Sequence, residues 1–553
     1  MRMKRLIAAL LAAALPVAMT GCFDLDLDEK NSSFSYDEEK DEKKDKYDDD
    51  DDDDRSGADS GEYLDITLDT IREHAQKTLD DAEISGNAEV LEEDIDVLLN
   101  DVDTAFQAYS KVMLDYYTDW DSEELEEAYD DCYEVFYVGY ELASYAFHNC
   151  YMNDEYKELF EPYIIEDYLE YYTTSAMSMK RLEGYAKVDY ETMYDTLDAY
   201  YEIVEDEELD DDEKNLKAAQ IYLDVLSVYT PDTFYDSFNR DFSPDVTLEL
   251  GKIVSEKILP AQLELGELFY SQPESEDVYD DPVLFDEPFE TINEYAGRIS
   301  PELGESAQRI LDKQLFAMAS GDDSYNGSFN IDLPLDNESL IYLYRNNDFY
   351  DFTTAVHEFG HFHASFADET PMYLARNNID IAEVHSQGLE ILFMEYYDEL
   401  YGDQSEEMQL MEIYNLLDSV LSGFAIGEFE YTVLRDYDSM TPEKVVECFD
   451  SIMEKYGYGG NIIEFYYITH IFEQPGYYIS YGVSALAALD IWQTALSDYD
   501  KASQMYCELA SIPTNAPEVH FMSALEQCGF EDVLNEDYII SLAEDVEEYC
   551  GKF

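Results

Sequence analysis

From residue 64 to residue 270 the apolar side chains recur at helical intervals, across long stretches that contain neither Gly nor Pro. Ile95, Leu98, Val102, Phe106, Tyr109, Met113 and Tyr116 follow one another at steps of three or four and line one face of a single helix. Leu216, Ala219, Leu223 and Leu226 repeat the pattern later in the same region. A 3.6-residue period does not alternate sides as a strand does, so this part of the chain is predicted to be an all-helical scaffold. Enough apolar residues are present to fill its core. They make up 46% of the chain, and 50 tyrosines add amphipathic packing surface.

The remainder divides on its punctuation. Pro273, Pro282, Pro288 and Pro301 interrupt the helical pattern, which predicts a connecting segment over residues 271–320. Asn326-Gly327-Ser328 marks a turn, and Leu340-Ile341-Tyr342-Leu343-Tyr344 is the best strand candidate. Helical spacing resumes at Phe352 within a last region, residues 321–553, and Thr353 or Thr354 can cap that helix. At the other end, Arg2, Lys4 and Arg5 precede an apolar run from Leu6 to Val17, too short to span a bilayer as a mature helix. Residues 1–21 therefore read as a signal peptide. Thr20-Gly21-Cys22 resembles a bacterial lipobox, which implies cleavage before Cys22 and lipid on its thiol. The mature protein would then be held on the extracellular side of a bacterial cell membrane by that anchor alone. Residues 22–63 are charged and low in complexity, with aspartate at every position from Asp48 to Asp54, and are expected to act as an extended spacer.

The spacer does not explain the net charge of −99: residues 23–63, with 19 acidic and 6 basic side chains, account for only −13 of it. So acidic a body repels phosphate backbones, which excludes nucleic acid as a partner. Six cysteines follow Cys22, at 132, 150, 448, 507, 528 and 550, without CxxC spacing, and are expected to be mostly buried free thiols.

The chemistry concentrates in His357-Glu358-Phe359-Gly360-His361. Two histidines four apart on a helix project from one face at successive turns, which suits two nitrogen ligands of a tetrahedral Zn²⁺. Glu358 then reaches a water at the metal rather than the metal itself. A hydrolytic zinc site needs a third protein ligand and an open fourth position. The pattern that supplies a third histidine shortly after the second is excluded, because positions 364 and 367 are both Ala. Carboxylates follow at Asp380, Glu383 and Glu390, and Glu383, Gln387 and Glu390 share one helical face. The residues alone leave the choice among these open. His363 lies about 200° around the helix from His361, and His385 is turned away from Glu383, so neither is expected to bind the metal.

Val356 to His361 followed by Glu383-Val-His-Ser-Gln-Gly-Leu-Glu390 resembles the thimet oligopeptidase and oligoendopeptidase F family, in which HExGH precedes a Glu-x-x-Ser-x-x-x-Glu helix. The resemblance implies that His357, His361 and Glu383 hold zinc, that Glu358 is the general base, and that Glu390 orients a histidine. His470-Ile-Phe-Glu-Gln-Pro-Gly-Tyr477-Tyr478-Ile-Ser-Tyr481 is similar to the family's His…Tyr-Tyr-x-Tyr stretch. It implies that His470, Tyr478 and Tyr481 stabilise the tetrahedral intermediate and that Tyr477 faces the substrate. The 340–344 strand, with Tyr342 and Tyr344, is expected to hold the peptide backbone by edge pairing. The resemblance spans residues 322–492, and Ala364 stands where the family often has histidine.

What the resemblance implies is a mainly α, two-lobed helical metallopeptidase with a deep substrate channel and a small β-sheet near the active site. Its cofactor is Zn²⁺ and its partners are short peptide substrates. A zinc carboxypeptidase or dipeptidase of related fold would need a basic residue for the C-terminal carboxylate, and none is identifiable in the sequence. A non-catalytic peptide-binding lipoprotein would have no use for Glu358.

Overall fold

In the computed structural model, residues 63–553 are described except at positions 121, 166–167, 176, 207, 232, 270–286, 322–323, 347–349, 460–462 and 553. Cys22, the acidic spacer up to residue 62, Pro273 and Pro282 lie outside the described residues.

The apolar stripe between residues 95 and 116 becomes the buried face of α2 (Ala88–Thr118), and all seven predicted side chains are buried. Helices α1 (Leu68–Ala82) and α3 (Glu123–Tyr151) pack against α2 and against each other. Hydroxyls cap both: Thr67 accepts from the Thr70 N–H and Ser122 from the Leu125 N–H. Next come α4 (Met179–Glu205) and α5 (Asp211–Leu226), the latter capped by Asp210. Ala219, Leu223 and Leu226 are buried on α5 as predicted. Leu216, at the edge of that stripe, is 38% exposed instead.

The proline-rich stretch departs further from expectation. Pro288 and Pro301 open helices rather than interrupt them: α6 (Pro288–Ile299) and α7 (Pro301–Lys313) each carry proline in the first turn. There the missing N–H has no intrahelical partner to lose, and the fixed φ already suits a helix.

A three-stranded sheet follows, of order β1-β3-β2, with β1 (Phe316–Ala319), β2 (Phe329–Leu333) and β3 (Glu338–Tyr344). β3 contains the predicted strand. It runs parallel to β1 and antiparallel to β2. β1 pairs with residues 341–344 of β3 and β2 with residues 338–342, so β3 is the centre strand and residues 341–342 have no free edge for a peptide. Tyr342 is corrected as well. Its wholly buried hydroxyl donates to the carbonyls of Tyr117 at 2.9 Å and Tyr325 at 2.8 Å, so it braces the sheet against α2 rather than meeting a substrate.

Helix α8 (Tyr350–Ser365) packs on β3 and β2. It begins three residues before Thr353, which is therefore inside the helix rather than its cap. Then come α9 (Ile379–Phe393), α10 (Ser405–Arg435) and α11 (Ile479–Ala495). α9 is held between α8 and α11, and α11 also packs on α10. Glycine sets the closest of these approaches. A Cβ on Gly360 would stand 2.4 Å from the His385 carbonyl oxygen, and one on Gly423 would stand 2.4 Å from the Gly482 nitrogen. The fold is thus mainly helical with a small sheet beneath α8. Among the described residues no helix is long and apolar enough to cross a membrane. The six cysteines after Cys22 are free thiols, four of them buried.

Candidate metal centre

Helix α8 sets His357 and His361 one turn apart, with ring centroids separated by 5.0 Å. The close α8–α9 approach then brings Glu383 to them, with its Oε2 3.7 Å from His357 Nε2. One donor atom from each of the three lies within 4.8 Å of the others, and all three residues are buried. Four tetrahedral ligands at about 2.0–2.2 Å from zinc stand about 3.4 Å apart, so a small contraction of this triad would close on the ion. Two imidazoles and one carboxylate form a donor set that zinc takes in hydrolytic sites. No other His, Cys, Asp or Glu group among the described residues has this spacing.

The surroundings fit a cation. Glu390 Oε1 stands 2.6 Å from His357 Nδ1; an ionised carboxylate there accepts a hydrogen bond from Nδ1–H and leaves Nε2 as the lone-pair nitrogen. Glu383 accepts from Ser386 Oγ on one oxygen and from the Tyr477 hydroxyl on the other, each at 3.4 Å. Glu358 is buried with neither carboxylate oxygen hydrogen-bonded, and His361 Nε2 is likewise buried without a partner. Each such atom costs about 1–3 kcal/mol, which marks a place shaped for a further group. Burial, reinforced by the charges of Glu383 and Glu390, raises the Glu358 carboxyl well above the usual range. Burial, together with His357 and His385, holds His361 well below the ordinary imidazole value. A divalent cation would reverse the shift at Glu358, favouring the ionised carboxylate, and reinforce the one at His361, keeping its imidazole neutral.

A second cluster forms at the start of α11. The rings of Tyr477, Tyr478 and Tyr481 lie 5.0, 5.9 and 6.1 Å from that of His470. Burial lowers the His470 pKa. Tyr477, expected to face the substrate, directs its hydroxyl at Glu383 and so links this cluster to the triad. Tyr344 ends β3 and its hydroxyl accepts from the Gly321 N–H at 3.3 Å. Asp380 is removed from the ligand candidates by an ion pair with Arg240. His363 turns toward α7, where its Nδ1 lies 2.9 Å from Ser306 Oγ, and His385 is buried where α9 passes behind Gly360.

The sequence motifs contain the two residues that contact Glu383, Ser386 and Tyr477, but do not assign them that role. Ser386 was legible, since a serine three positions along a helix reaches back to the earlier side chain. The partnership of Tyr477 with Glu383, 94 residues away, had no local signal.

No family model matches the chain, and no curated protein matches it by sequence. The likeness to known proteins lies in the fold. A structure ascribed to an oligoendopeptidase F aligns with a TM-score of 0.69 at 15% identity, covering 88% of this chain and 97% of that one. PZ peptidase A, solved with an inhibitor, gives 0.68 at 15% identity and covers 88% and 98%. Metallocarboxypeptidase 1 of Trypanosoma cruzi gives 0.52 at 13% identity and covers 81% and 99%. The chain therefore shares the helical fold of oligoendopeptidase F and related peptidase structures. That likeness extends well beyond residues 322–492, into the helical first half.

Proposed function

We propose that the protein is a zinc-dependent endopeptidase acting on short peptides. The observation that carries this reading is the buried His357–His361–Glu383 triad, with the partnerless carboxylate of Glu358 on the same helix. The fold shared with structures ascribed to peptidases supports it. A zinc ion held by the triad would lower the pKa of a water to about 7 and polarise the scissile carbonyl.

The chain's own residues do the rest. Glu358 takes the proton of the attacking water and delivers it to the leaving amine. A cation in the triad would offset the burial that raises the Glu358 pKa, leaving the carboxylate ionised and able to take that proton. Glu390 fixes the tautomer of His357, and Ser386 with Tyr477 fixes the orientation of Glu383. Tyr481 and Tyr478, gathered around His470, donate hydrogen bonds to the oxygen that gains charge. The net charge of −99 draws cationic peptides preferentially. Lipid on Cys22 would hold the enzyme at the extracellular face of a bacterial membrane, and Cys22→Ala should then release it from the membrane fraction.

The fold shared with a metallocarboxypeptidase favours a second reading, removal of C-terminal residues. Peptides blocked at both termini separate the two. The endopeptidase reading expects cleavage of blocked peptides, lost on chelation and restored by zinc. Cleavage that requires a free C-terminus would favour the carboxypeptidase.

A further inference from the structure

Arg240 lies far in sequence from every residue of the triad, yet its wholly buried guanidinium reaches both halves of the centre. It sits in the turn between the short helix Asp236–Phe238 and the helix Pro244–Ile253. The rings of Tyr235 and Phe238 each lie 4.3 Å from its guanidinium carbon. Nε and Nη2 donate to the two oxygens of Asp380 at 2.8 and 2.9 Å. Nη2 also donates to Ser480 Oγ at 2.7 Å, and Nη1 to the Gly476 carbonyl at 2.9 Å.

Those acceptors belong to two segments. Asp380 stands on α9 one turn before Glu383, while Gly476 and Ser480 bracket Tyr477 and Tyr478 and adjoin Tyr481. Gly476 is also held from behind: its N–H donates to Glu430 Oε1 on α10 at 2.8 Å, and its φ of +89° suits only glycine. A planar fork of fixed donors can tie three acceptors at set angles, which a flexible ammonium cannot.

We infer that Arg240 is a positioning residue that fixes the Tyr477–Tyr481 segment against the Glu383 helix, through Asp380 on one side and Gly476 with Ser480 on the other. Its effect on turnover rests on the peptidase reading above. The effect on local order does not.

The test uses the zinc-loaded full chain with Arg240→Lys, which keeps the charge beside buried Asp380, and with Ser480→Ala, which cuts a single strut. A displacement of about 1 Å in a transition-state donor costs up to about 100-fold. Arg240→Lys should therefore lower kcat by about 30–100-fold and Ser480→Ala by about 3–10-fold, with KM within about threefold and one zinc retained. In a Tyr481→Phe background the Arg240→Lys effect should shrink below about threefold, because both act through one hydroxyl. Amide exchange across residues 476–481 should accelerate about tenfold in Arg240→Lys while distant helices are unchanged. Unaltered exchange there, or effects that multiply fully with Tyr481→Phe, would overturn the inference. If wild type cleaves no peptide, the peptidase reading fails and exchange alone decides: local acceleration upholds the clamp and its absence refutes it. If Arg240→Lys does not fold, Ser480→Ala carries both readouts.

Discussion

Replacing Gly360 with alanine sets two expectations against each other. In a helix interior alanine is favoured over glycine by about 1 kcal/mol. At position 360, however, the new Cβ would stand 2.4 Å from the His385 carbonyl oxygen, 2.8 Å from Ser386 Cα and 2.9 Å from the His385 carbonyl carbon. Carbon atoms pack best at about 3.5–4.0 Å, so α8 and α9 must part by roughly 1 Å. The obstructing atoms are backbone, and no rotamer change relieves them. Overpacking of this kind costs about 1–3 kcal/mol, which matches or exceeds the gain from propensity. The displacement also falls between His357 and His361 on one helix and Glu383 on the other. Metal–ligand distances tolerate only about 0.2 Å, so Glu383 is drawn out of reach. Competition with a chromophoric chelator should show zinc affinity at least about 10–100-fold weaker than wild type. Thermal unfolding should occur at or below the wild-type temperature. An alanine variant that binds zinc as tightly and melts higher would refute the close-approach argument.

Three further outcomes are expected. Glu390→Ala removes the carboxylate 2.6 Å from His357 Nδ1 and should weaken zinc binding about 10–100-fold in the same competition, whereas unchanged affinity would separate Glu390 from the metal. Tyr342→Phe removes the buried hydroxyl that donates to the Tyr117 and Tyr325 carbonyls, the first of which keeps the Tyr325 N–H, and should cost about 1–3 kcal/mol in denaturant unfolding while leaving peptide KM unchanged; a raised KM would restore Tyr342 to the substrate site. Burial pushes the Glu430 carboxyl up to about 8, with the Gly476 N–H and Arg240 offsetting it in part. Folded Glu430 thus keeps a proton that the unfolded chain releases near pH 4.5, and stability falls as pH rises from there to about 8, by at most about 5 kcal/mol. Glu430→Gln should match wild type near pH 4.5 and melt higher near pH 8.5, and superimposable pH profiles would contradict the shift.

How much could be read in advance depended on the reach of each interaction. Helix α2 was legible because its stripe from Ile95 to Tyr116 faces one continuous core, so a local period reports a global fact. The spacing of His357 and His361 was legible for the same reason: a helix fixes it whatever surrounds it. Pro288 and Pro301 misled because proline both ends helices and begins them, and the side on which it falls depends on neighbours. β3 was found by its apolar run, but its place at the centre of the sheet depended on β1 and β2. β2 alternates Phe329, Ile331 and Leu333 with polar residues before Pro334, a signal that was present and passed over. Arg240 was beyond reach, since its partners at 380, 476 and 480 are joined to it only by the folded chain.

The most direct test of the central claim is the turnover of a peptide blocked at both ends by wild type and by Glu358→Gln at equal, measured zinc content. The variant should bind zinc as wild type does and lose at least about 100-fold in kcat, because it keeps the triad and loses the base. Turnover retained by a zinc-loaded Glu358→Gln protein would contradict the account.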